Sequence, residues 1–173
     1  LSNLSLQFLL EQSVALLSAE FSALGLSVGD CISLDTKHII AWVKENNPKA
    51  YVSERFNKHK QPAGDPDCKL CCKRRHNRQL AESPITPSKN SVPAKMMAVG
   101  EYYWGYGSGV VVVKVPEWGE FVLAERTQTF DKSDVSYFFP LMQQTEQRLG
   151  FRPRFGTFDA AFDAFYVYEY FHR

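Results

Sequence analysis

No run of eighteen or more apolar residues occurs in the 173-residue chain, so the sequence indicates no transmembrane helix. Nor do the first residues, Leu1 to Leu6, carry an initiator Met, a basic stretch or a small-residue cleavage site, and they do not form a signal peptide. A chain that begins at Leu and stops inside an aromatic segment reads as a fragment. Cysteine is scarce and unevenly spread: three of the four lie at 68, 71 and 72, and Cys31 stands alone in an apolar run. That is not the spacing of a secreted disulfide framework, and it favours a reducing, cytoplasmic setting. Net charge is small too, at +1. It conceals an imbalance, because residues 44–95 hold twelve Lys and Arg against five Asp and Glu, which leaves −6 for the remainder. A basic insertion on an otherwise acidic domain is a footprint for nucleic acid, although a solvated loop has the same composition.

What the chain does have is the content of one globular domain, 45% hydrophobic and 14% aromatic. Leu6, Leu10, Val14, Leu17, Phe21 and Leu24 recur every three or four residues and predict an amphipathic packing helix closed by Gly25. Residues 31–35 alternate, so that Ile32 and Leu34 share one face while Cys31, Ser33 and Asp35 share the other. The apolar run 39–43 continues this segment, and residues 44–48 break it. These features divide the chain into residues 1–30, a packing helix and turn, and residues 31–173, an α/β domain with a long basic loop inserted at about 45–98.

Within the insertion, Pro62, Pro66, Pro84, Pro87 and Pro93 punctuate a stretch without periodicity. Cys68, Cys72 and His76, with Cys71 beside them, offer thiolate and imidazole ligands at close spacing for Zn²⁺. The plainer reading is reduced, non-ligating cysteines, because the second distant pair of a strong zinc signature is missing. Lys73, Arg74, Arg75 and Arg78 are the residues expected to neutralise phosphates if the partner is DNA.

Order returns after residue 101. The β-branched run 110–115, the turn 116–119 and the run 121–126 predict a hairpin. The glycines at 105, 107 and 109 match no phosphate-binding loop, since neither a helix nor a Lys-Ser/Thr pair follows them. Ser133 and Asp134 cap a predicted helix that runs to Leu149 with Phe138, Met142 and Leu149 on one face and Gly150 as its stop. Pro140 belongs in its first turn or kinks it. Residues 151–158 then read as a buried strand that delivers Asp159, and residues 160–172 as an aromatic helix carrying Asp163 one turn further on, although their Tyr and Val content would also suit a strand.

Strand with acid, insertion, hairpin, helix, strand with acid, helix is the element order of a ribonuclease-H-like mixed sheet, here incomplete. In that arrangement the fourth strand lies parallel beside the first. Asp35 and Asp159 would then meet at neighbouring strand ends, where ligands of α/β sheets commonly bind. Two carboxylates held close together repel unless cations lie between them, and Mg²⁺ takes oxygen ligands.

Over residues 32–172 the chain resembles a DDE transposase of bacterial insertion sequences. Asp35-Thr36-Lys37 is similar to that family's first motif, an Asp followed by Ser or Thr at the end of strand one. Asp159-Ala160-Ala161-Phe162-Asp163 is similar to its second, Asp-x-Gly-Tyr-Asp. Ala161 stands for the Gly, Phe162 for the Tyr, and Lys37 where Thr is frequent; the insertion is long for the family. The resemblance implies that Asp35 and Asp159 are the first two acids of a catalytic triad holding Mg²⁺ or Mn²⁺. The third, a Glu, would fall beyond Arg173, which would leave this chain by itself an incomplete nuclease. Further implications are DNA ends and target as partners, a homodimer when full length, and a nucleoid-associated place in the bacterial cytoplasm. A non-catalytic nucleic-acid-binding module with zinc in the insertion is the alternative, and another ribonuclease-H-like nuclease such as a resolvase is a third reading.

Overall fold

The computed structural model describes residues 5–76, 98–129 and 132–172. Among these residues eight elements follow one another: α1 (Leu6–Ala23), β1 (Cys31–Ile40), β2 (Lys69–His76), β3 (Ala98–Val115), β4 (Gly119–Thr129), α2 (Phe138–Leu149), β5 (Phe155–Thr157) and α3 (Phe165–His172). Single 3₁₀ turns occupy Lys44–Asn46, Asp134–Tyr137 and Ala160–Phe162. The protein is therefore mixed α/β, with one mixed sheet in the order β2-β3-β1-β5 and β4 paired to β3. Contacts divide the chain into a first unit, Leu1–Ile39 with Tyr106–Arg173, and a second, Ile40–Gly105. The second unit is thus broader than the insertion expected at about 45–98.

In the first unit, α1 begins at the Ser5 N-cap, whose hydroxyl accepts from Phe8 N–H at 3.2 Å. It ends where Gly25 adopts φ +72°, a left-handed conformation that costs glycine nothing. Of the expected face, Val14 and Phe21 are core and Leu10 and Leu17 are partly buried against it, while Leu6 and Leu24 are exposed. β3 and β4 form the expected hairpin, with Val115 opposite Gly119 and Tyr106 opposite Thr129. A bulge breaks its register, since Val111 faces Ala124 but Val112 faces Val122. Leu123 is the extra residue, so two consecutive side chains, Leu123 and Ala124, turn into the core, which strict alternation forbids. In α2, Pro140 sits in the first turn, where its missing N–H has no intrahelical partner to lose, and Gly150 at φ +78° closes the helix.

α1 and α2 pack on β4 and on each other. The core between them and the sheet takes Ile32 and Leu34 from β1, alternate valines from β3, and Phe138, Leu141 and Met142 from α2. Phe138, fully buried, has its ring edge-to-face with Tyr170 of α3 at 5.3 Å and with Phe158 at 5.8 Å. Burying one such ring contributes on the order of 1.5–3 kcal/mol, and these contacts hold α3 to α2. Arg152 adds to the same junction: its guanidinium lies over the Tyr170 ring at 4.3 Å and bonds Glu146, which accepts from the Tyr170 hydroxyl.

Three expectations are corrected. Residues 151–158 are not a buried strand, because only Phe155–Thr157 pair and Phe155 is exposed. Pro153 cannot donate to a ladder, and β5 lies at the end of the strand order with one partner. Asp163 is not within a helix: the turn after Asp159 closes after Phe162, and α3 starts only at Phe165. The stretch before residue 101, read as loop, contains β2, paired antiparallel with the first part of β3 from Lys69–Gly105 to His76–Ala98.

Candidate functional site

The first unit pairs the two predicted strands, but neither acid stands at a strand end. Asp35 is the fifth of the ten residues of β1, because the strand continues to Ile40, and Asp159 lies two residues past β5. β1 and β5 pair in parallel, with Cys31 opposite Phe155, Ile32 opposite Gly156 and Ser33 opposite Thr157. Two features lock this register. Asp30, just before β1, accepts the backbone N–H groups of both Arg154 and Phe155 at 3.0 Å. Its carboxylate takes a bidentate pair from the Arg154 guanidinium, with both contacts at 2.6 Å. That pairing holds the Asp30 carboxyl below its ordinary value. At the other end, the Ser33 and Thr157 hydroxyls meet at 2.6 Å.

Alternation then decides where the acids go. Ile32 and Leu34 enter the core, so Cys31, Ser33 and Asp35 occupy the open face of β1. On β5 the exposed positions are Phe155 and Thr157, and Asp159, still extended at φ −80° and ψ 175°, is the next on that side. Asp35 and Asp159 each follow the hydroxyl pair by two residues, Asp35 within β1 and Asp159 beyond the last paired residue of β5. Both acids are exposed. Each is also oriented by a local backbone donor: Asp35 Oδ1 accepts from Thr36 N–H at 2.8 Å, and Asp159 Oδ1 from Ala161 N–H at 2.9 Å. One oxygen of each carboxylate is thereby held by a backbone N–H.

Asp159 also lines a cleft of about 650 Å³, with Arg154, Thr157, Asp163 and Tyr168 among its walls. The Asp163 carboxylate accepts from the Tyr168 hydroxyl at 2.8 Å, which raises the Tyr168 pKa through that hydrogen bond. Asp163 therefore supports the wall of the cleft. The hydroxyl pair Ser33–Thr157 was not singled out from sequence. Its only signal was that each hydroxyl precedes an acid by two residues, in Ser-Leu-Asp and Thr-Phe-Asp.

The donor set fits a hard cation in kind: carboxylate oxygens on an exposed face, partly pre-oriented. Among the described residues no group of three or more His, Cys, Asp or Glu side chains converges on a metal-sized space.

In the second unit, the cysteine cluster is spread along a strand. Cys68 and Cys71 are buried, and Cys72 is exposed on the opposite side of β2 from Cys71. His76 follows Cys72 by four residues, about 13 Å along an extended strand, whereas ligands of one zinc lie within a few ångströms of each other. The Cys68 thiol donates to the Asp65 carbonyl at 3.2 Å. Burial first, then the Asp65 and Glu45 carboxylates, push its pKa up to about 11 and hold it as the thiol. The structure thus does not bring Cys68, Cys72 and His76 together. Lys73, Arg74 and Arg75 fall at successive positions of β2, with their side chains outside the described residues; Arg78 lies outside them altogether.

No helix among the described residues is long and apolar enough to cross a membrane. Comparison of the chain with protein-family models, with curated proteins and with solved structures gives no match.

Proposed function

We propose that the first unit belongs to a ribonuclease-H-like catalytic domain of a DDE transposase, in which Asp35 and Asp159 hold divalent cations for cleavage and joining of DNA ends. The observation that carries this reading is the parallel pairing of β1 and β5, with Asp35 exposed on β1 and Asp159 exposed two residues past the end of β5. The reading is supported by the strand order β2-β3-β1-β5, with β4 paired to β3 and α2 lying between β4 and β5 in the chain. When bound, Mg²⁺ or Mn²⁺ would supply activation of a water or a DNA 3′-hydroxyl and stabilisation of the leaving oxygen. The chain's own part is to hold the two carboxylates: Asp30–Arg154 and Ser33–Thr157 fix the strands, and Thr36 and Ala161 N–H groups aim the acids.

Mn²⁺ binding followed by electron paramagnetic resonance tests the site in this chain. Wild type is expected to bind Mn²⁺, and Asp35→Asn and Asp159→Asn each to lose it; binding unchanged in both variants rejects the assignment. In a protein that carries the third carboxylate, either substitution is expected to abolish strand cleavage while DNA binding persists. The non-catalytic reading, a nucleic-acid-binding module, draws on the basic run Lys73, Arg74 and Arg75 in β2. It is favoured if DNA binding is found with no effect of Mn²⁺ or of either Asp substitution.

A further inference from the structure

Trp42 is fully exposed, although both of its neighbours, Ala41 and Val43, are buried at 7%. A tryptophan ordinarily buries most of its large surface. Slack in the chain does not account for the exposure, because the backbone on either side is pinned. Asn46 donates to the Ala41 carbonyl at 2.7 Å and the Trp104 carbonyl at 2.8 Å, and accepts from Trp104 N–H at 2.8 Å. Ala41 N–H donates to Trp104 as well. The indole N–H of the buried Trp104 donates to the Arg55 carbonyl at 2.7 Å, and the Arg55 guanidinium returns to the carbonyls of Asn47 and Ala50. One buried tryptophan thus anchors the loop that presents the exposed one.

Trp42 lines a cavity of about 1150 Å³ together with Ile40, Lys44, Lys49 and Ala63, all within the second unit. Its wall is mainly apolar, and two lysines against Glu45 make it cationic. Around it, residues 40–60 carry five Lys and Arg against two Glu. An exposed aromatic plane in an apolar hollow rimmed by ammonium groups is the combination that takes a nucleobase on its face and phosphates at its edge. A purely apolar peptide partner would not account for the surplus of positive charge.

We propose that this cavity binds an unpaired nucleotide of single-stranded DNA, with the base stacked on Trp42 and the flanking phosphates met by Lys44 and Lys49. The proposal rests on DNA being the partner named above but uses none of the acids of the first unit.

The test is quenching of tryptophan fluorescence on titration of the whole chain with an oligo-dT and with an abasic oligomer of the same length. Trp104 is buried, and the half-exposed Trp118 is controlled with a Trp118→Phe background. The expected result is quenching by oligo-dT and much less by the abasic strand. Binding, read independently by anisotropy of a labelled oligo-dT, should weaken roughly 5- to 150-fold in Trp42→Ala and be largely kept in Trp42→Phe. Replacing Lys44 and Lys49 together by Gln should lower the salt slope by about 1.4. Equal quenching by both strands overturns the stacking claim. So does unchanged affinity of Trp42→Ala, or a Trp42-dependent dimer seen by sedimentation without DNA. Asp35→Asn should leave the quenching intact, so loss of Mn²⁺ binding and loss of stacking are separable outcomes.

Discussion

The hydroxyls of Ser33 and Thr157, 124 residues apart in the chain, meet at 2.6 Å on the open face of the sheet. A parallel pair cannot be closed by a tight turn, so its register depends on the whole crossover and on side-chain links of this kind. Ser33→Ala or Thr157→Val should each destabilise the protein by about 0.5–1.5 kcal/mol. The double variant should cost less than the two singles added together, because they share one bond. Urea unfolding of all four proteins checks this, and additive losses would show that the hydroxyls act separately.

Close approach at Gly109 is a second constraint. A Cβ there would lie 2.6 Å from the Tyr137 ring and 2.9 Å from Leu141, both fully buried. Neither neighbour can retreat without disturbing the Phe138 cluster, so Gly109→Ala should cost about 1–3 kcal/mol by overpacking. Gly119, at the hairpin turn, has open space around the same position, which makes the clash at Gly109 specific to its packing. The expected sign is a lower urea midpoint with an unchanged denaturant slope.

Much of this architecture is local in origin, and that part was legible. The period of α1, the alternation at 31–35 and the β3–β4 turn each follow from neighbours in sequence, and the Pro140 and Gly150 positions limit α2. β2 was not legible, because Lys-Leu-Cys-Cys-Lys-Arg-Arg-His has no alternation; it becomes a strand through pairing with β3, a non-local cause. The shortness of β5 arises likewise from its edge position. For the candidate site, the outward face of Asp35 could be read from alternation, but the links that hold β1 to β5 could not. Asp30–Arg154 and Ser33–Thr157 link residues that only the fold makes neighbours. Trp42 was read as part of an apolar run, since nothing local distinguishes it from the buried Val43.

Asp30 and Arg154 make the stability of the β1–β5 junction depend on pH. The bidentate contact lowers the Asp30 pKa below its ordinary 3.8, so the folded state binds that proton less readily than the unfolded chain. Its contribution is fully present above about 3.8 and is lost as pH falls through the depressed folded value. Both partners are solvent-facing, so salt should screen the effect. Unfolding midpoints of wild type and Asp30→Asn, taken from pH 6 downward at low and high salt, are expected to differ by a constant amount until about pH 4 and to converge below it. A gap that widens on acidification would contradict the pairing.

Cysteine chemistry offers the most direct check on the second unit. At pH 8 a thiol with pKa near 11 is about one part in a thousand thiolate, and Cys68 is in addition fully buried. Cys71 is also buried, its thiol donating to the Lys69 carbonyl at 3.2 Å, while Cys31 and Cys72 are exposed. Iodoacetamide should therefore alkylate Cys31 and Cys72 rapidly in the native protein and reach Cys68 and Cys71 only through unfolding, as peptide mass spectrometry would show. Repeating the reaction with Zn²⁺ decides the fate of the metal reading. Because Cys72 and His76 are separated along β2 and Cys68 is held protonated by its surroundings, zinc should leave Cys72 labelling unchanged. Protection of Cys72 that vanishes on His76→Ala would instead require β2 to rearrange around the ion, and would return Cys68, Cys72 and His76 to a common site.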